Sequence, residues 1–104
     1  MDELKDPILL NSALEFASEW GENFRKPILE RMKQRHPELL EADILELETE
    51  ARRAESFVVG LAEREFAGAI SEGDIVPMVR EKYPWIAGDN LYRIKNIGMF
   101  WARK

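Results

Sequence analysis

Two acidic pairs are the residues of this chain most suited to chemistry: Glu19-Trp-Gly-Glu22 and Glu38-Leu-Leu-Glu41. Carboxylates three apart on a helix share a face, so each pair offers oxygen ligands to a hard cation such as Mg²⁺. His36 is the only histidine and stands before Pro37 at a helix junction. A metal site or a Ser/His device would need partners, and no nucleophile-to-base spacing is visible around it. It is read as a junction residue. There are no cysteines, which removes disulfides, thiolate zinc sites, iron–sulfur clusters and cysteine nucleophiles. The glycines at 21, 60, 68, 73, 88 and 98 form neither G-x-G-x-x-G nor a P-loop. No catalytic, metal or cofactor-binding residue is assigned, and the chain is expected not to be an enzyme.

Two resemblances set the alternatives. The paired acidic motifs are similar to those on neighbouring helices of the all-helical nucleotide pyrophosphatases, which implies metal-dependent nucleotide hydrolysis as a third and most remote reading. The second pair lacks the aspartate usual at its fourth position, Pro27 separates the pairs, and no adjacent Lys/Arg pattern marks a phosphate pocket. The second alternative is a DNA-binding regulator. Residues 75–82, a connector, and residues 90–102 resemble a helix-turn-helix, with Arg93, Lys95, Asn96, Arg103 and Lys104 facing phosphates or bases. Arg31, Lys33 and Arg35 would be auxiliary contacts. Against it, the connector holds Pro84 and Trp85 and exceeds the usual turn. The net charge of −5 also opposes counterion-driven binding.

That charge is uneven. Residues 25–36 carry five bases against one acid, and residues 80–104 carry six against two. The remainder holds four bases and seventeen acids. The basic segments are expected to neutralise acids of the long helix or to be solvated. There is no charged-then-apolar leader and no apolar run near 18 residues, so a cytoplasmic location and no membrane contact are expected.

The elements that position these residues are helices. At 104 residues the chain has the size of one domain, and 1–104 is read as a single all-α domain, a four- to five-helix bundle with one long central helix. Asp6-Pro7 opens the first helix as cap and first residue. Leu9, Ala13, Phe16, Ala17, Trp20 and Phe24 follow at helical period, and a break is expected between Glu22 and Lys26 because of Pro27. A short helix runs from Pro27 to Arg35, with Ile28, Leu29 and Met32 inward, and His36-Pro37 ends it. Helix 38–70 is the spine. Ser71-Glu72-Gly73 is read as a turn and Asp74 as the cap of helix 75–82. Trp85 is expected to plug the core, and Asp89 to cap helix 90–102.

The spine carries a heptad seam. Leu40, Ile44, Leu47, Ala51, Ala54, Val58 and Leu61 are spaced alternately four and three. Beyond Leu61 the stripe rotates to Ala62, Phe66 and Ala69. Unbroken, this helix would be roughly 50 Å long at about 1.5 Å per residue, longer than a compact domain of this size. It either bends near Ser56–Gly60 or needs a partner. The last helix is apolar on more than one side: Leu91, Ile94, Ile97, Gly98, Trp101 and Ala102 make one stripe, Tyr92 and Met99 another, and Phe100 a third. The expectation is a non-enzymatic protein-interaction module, self-associating as a homodimer. Its surface is drawn from Leu40, Ile44, Leu47, Val58, Leu61, Tyr92, Met99 and Phe100.

Overall fold

In the computed structural model, residues 6–19 and 26–103 are described. They form five helices: α1 (Pro7–Ala17), α2 (Leu29–Arg35), α3 (Glu41–Phe66), α4 (Glu72–Lys82) and α5 (Gly88–Ala102). There is no strand among the described residues. Contacts divide the chain into two units, Met1–Arg53 and Ala54–Lys104. The first half of α3 belongs to one unit and the second half to the other.

In the first unit α1 starts where its cap dictates. The Ile8 N–H donates to Asp6 Oδ1 at 2.8 Å and Pro7 takes the first turn. The helix ends at Ala17, earlier than expected. Ser18 closes it, its hydroxyl donating to the Leu14 carbonyl at 2.7 Å. The expected break, with Trp20 and Phe24, lies outside the described residues. The carbonyls freed at this end are taken by arginines. Arg31 Nη1 donates to Phe16 O at 2.9 Å and to Glu19 Oε1 at 2.8 Å, while Nη2 donates to Lys26 O and Pro27 O at 3.2 and 3.0 Å. Arg52 Nη2 reaches the same Lys26 carbonyl at 3.0 Å. Leu10, Ala13, Leu14, Phe16, Ala17, Ile28, Met32, Ile44, Leu47 and Ala51 are buried apolar side chains of this unit. α2 begins at Leu29 rather than Pro27, and Leu29 is only half-buried.

α3 begins at Glu41, three residues later than expected. Its opening N–H, on Leu40, is taken by Asp43 Oδ2 at 3.2 Å. Leu40 therefore precedes the helix and is 68% exposed, so it does not belong to the seam. The other six seam positions do, each no more than 2% exposed. The 26 residues of α3 span about 39 Å. It stops at Phe66, not Ile70, because Gly68 adopts φ 85°. Ala69 N–H donates to Arg64 O at 2.8 Å and Gly68 N–H to Glu65 O at 3.0 Å, the paired bonds of a Schellman end. Phe66, expected on the inward stripe, is 60% exposed, and Ala69 is exposed too.

In the second unit Ser71, not Asp74, is the cap of α4; Gly73 lies inside the helix. Asp74 at the third position reaches back to accept the Ser71 N–H at 2.9 Å. Pro77 is tolerated within α4, and Tyr83 ends it. Tyr83 and Ile86 fill the core here, while Trp85 is half-buried and edge-on to Tyr83 with ring centres 6.2 Å apart. Tyr83 also meets Phe57 of α3 edge-on at 5.6 Å. α5 starts at Gly88 behind Ala87, which makes no side-chain cap, and Asp89 lies in its first turn. Leu91, Ile94, Ile97 and Gly98 are buried; Trp101 and Ala102 are half-buried.

Candidate functional site

The first acidic pair is only partly within the described residues. Glu19 is bound to Arg31, and Glu22 lies outside the described residues. Glu38 sits in the turn before α3 and Glu41 is its first residue, so they do not share a helical face. Among the described residues no three His, Asp or Glu side chains are grouped to hold a metal ion.

His36 has partners that its sequence neighbourhood does not reveal. Its Nε2 lies 3.0 Å from Ser12 Oγ, and its Nδ1 lies 3.9 Å from Glu38 Oε2. A hydroxyl, an imidazole and a carboxylate in this order are the parts of a nucleophilic relay. The surroundings suit a structural role instead. Ser12 is 8% exposed in the interior of α1, and helix interiors commit their own backbone N–H groups to the helix rather than to a developing oxyanion. The imidazole satisfies a buried hydroxyl and ties α1 to the turn between α2 and α3. The two residues are 24 apart in sequence, so no local spacing could signal the pair.

Arg93, Lys95 and Arg103, proposed for DNA, are occupied within their own unit. Arg93 Nη2 donates to Asn90 Oδ1 at 2.6 Å, Lys95 Nζ to Glu72 Oε2 at 3.1 Å and Arg103 Nη2 to Glu65 Oε1 at 2.5 Å. Arg103 also lies over the Phe66 ring at 5.4 Å. Asn96 is exposed, and Lys104 lies outside the described residues. Residues 83–87 join α4 to α5. The ionisation of Asp74 is displaced. The Ser71 backbone N–H and then its hydroxyl hold the carboxyl below its ordinary value of 3.8.

The apolar candidates divide by burial. Ile44, Leu47, Val58 and Leu61 lie inside the chain's own core, each no more than 2% exposed. They are therefore corrected from surface to core. Tyr92 and Phe100 remain 55% and 54% exposed on α5, Met99 beside them is half-buried, and Leu40 is exposed. Sequence reasoning missed Ile8, Leu45 and Phe66, which are also exposed. A shallow depression of about 380 Å³ is lined by Phe57, Met78, Glu81 and Lys82. No helix is long and apolar enough to cross a membrane among the described residues. No family model, curated protein or solved structure matches the chain.

Proposed function

We propose that this chain is a small, non-enzymatic protein-interaction module that associates with copies of itself. The observation that carries the reading is the placement of Tyr92 and Phe100. Both rings stand more than half exposed on the same side of α5, although the opposite side of that helix already supplies Leu91, Ile94 and Ile97 to the core. Large aromatic side chains facing water two turns apart are what a partner-binding helix face offers. With its seam positions enclosed, α3 does not need a partner to cover it, and the outward side of α5 takes over that role. The half-buried Met99 of the same helix is the remaining member of this surface; Leu40 is exposed in the other unit and is not part of it.

Light scattering on a sizing column tests this from micromolar to hundreds of micromolar protein. The mass is expected to rise from monomer to dimer with concentration, and Tyr92→Ser with Phe100→Ser to remain monomeric while melting where the unmodified chain melts. A monomer at every concentration would overturn the reading.

A further inference from the structure

The outward side of α5 reads as a palindrome of chemistry. Asp89, Tyr92, Asn96, Phe100 and Arg103 are all exposed, and their spacing of three and four keeps them on one broad face of the helix, which joins Phe100 to Tyr92 rather than setting it on a separate side. Counting outward from Asn96, the residues four away on either side are aromatic, Tyr92 and Phe100. The residues seven away are opposite in charge, Asp89 and Arg103. Two such helices laid antiparallel across a two-fold axis at Asn96 bring every position against its complement.

We propose that the occupant of this face is α5 of a second copy, antiparallel and centred on Asn96. The inference rests on the self-association reading above and specifies its geometry. Tyr92 packs on Phe100 of the partner copy, and Phe100 on Tyr92, across an aromatic span of about 12 Å. Asp89 faces the partner copy's Arg103 at both ends. Asn96 meets its own mate at the axis, where a pair of side-chain amides can exchange donor and acceptor and fix the register, as a single buried asparagine does in helix pairs. A slip of one turn sets aromatic against amide, and an in-register parallel pairing sets Asp89 against Asp89 and Arg103 against Arg103; either loses both charge pairs. Arg103 enters this contact while still holding Glu65, because a guanidinium carries five N–H donors. Asp89 is exposed in the first turn of α5.

Cysteine scanning and charge exchange on the full chain test the geometry. The chain has no cysteine, so Asn96→Cys introduces a single thiol at the axis. Mild oxidation is expected to convert that variant to a covalent dimer, whereas Glu46→Cys, placed on the exposed side of α3, is not. Asp89→Arg opposes Arg103 of the partner copy and should weaken association on the order of tenfold or more; Arg103→Asp should do the same. Carrying both changes in one chain should restore the dimer, as should mixing the two single variants, which pair only with each other. Rescue of this kind does not arise from misfolding. If the unmodified chain dimerises but Asp89→Arg dimerises equally well and Asn96→Cys does not cross-link, this geometry is wrong while self-association stands. If the unmodified chain stays monomeric, both fall together.

Discussion

Gly98 of α5 faces the backbone of α3 at Val59: a Cβ placed on Gly98 would lie 3.3 Å from Val59 Cα, with Ala62 Cβ at 3.5 Å. The two helices approach closely here because one of them lacks a side chain at that point. Gly98→Leu should destabilise the chain by about 1–3 kcal/mol through overpacking. Gly60 on α3 provides the control, since nothing lies within 4 Å of an added Cβ. Gly60→Ala should stabilise by about 1 kcal/mol through helix propensity alone. Urea denaturation of both variants checks the contrast. Equal and small effects would mean that α5 does not approach α3 as closely as described.

Arg31 anchors four oxygens from residues 16, 19, 26 and 27, with its side chain only 16% exposed. Removing it takes a donor from Phe16 O at the end of α1 and from the Lys26 and Pro27 carbonyls before α2. Arg31→Ala is expected to cost about 2–3 kcal/mol. Arg31→Lys should recover little, because an ammonium cannot reproduce the planar fork that reaches several acceptors. Chemical denaturation measures both; full recovery by lysine would reduce the role of Arg31 to its charge.

The Ser12–His36 link makes a prediction about coupling. Replacing His36 alone leaves a buried hydroxyl without this partner, whereas replacing both removes donor and acceptor together. A double-mutant cycle of Ser12→Ala with His36→Ala should give an interaction energy of about 1 kcal/mol. Glu38→Gln should change stability little, since Glu38 is exposed and 3.9 Å from the ring. Additive single effects would sever the proposed tie.

Asp74 gives the chain a defined response to acid. Its carboxyl is held below the ordinary value of 3.8 by Ser71, so the folded form binds the proton less readily than the unfolded chain. The stability this contributes is fully present above pH 3.8 and is lost as pH falls through the lowered value. Asp74→Ala should lower the melting temperature at neutral pH, and the difference from the unmodified chain should shrink in strong acid. A difference independent of pH would show that the capping box does not depend on the charge.

Much of the helical plan was legible because its signals are local. Asp6-Pro7 carries both a cap and a first-turn residue, and the four-three spacing from Ile44 to Leu61 marks one side of a helix wherever that side is covered. The periodicity of α3 could not say by what it is covered. Six positions that a coiled coil would leave for a partner are enclosed by this chain, and that removed half of the expected association surface. Competing punctuation misplaced the ends of helices. Gly68 and Gly73 are both glycines near the end of an apolar pattern, and only Gly68 takes the positive φ that stops a helix. Ser71 and Asp74 are both able caps, and they share one box rather than competing. Phe66 was drawn inward by its spacing, yet α3 ends there, and Arg103 covers its ring instead. Tyr83 is buried where Trp85 was expected to be, because burial in a connector depends on the neighbouring helices, which local pattern does not contain.

The φ of 85° at Gly68 also gives the end of α3 a sense of handedness. That region of backbone space is one that mirror-image amino acids favour and ordinary ones avoid. L-alanine there would strain the turn, whereas a D-alanine introduced by chemical synthesis would adopt it naturally and surrender less freedom on folding than glycine does. At this one junction the fold distinguishes left from right more sharply than it distinguishes one side chain from another.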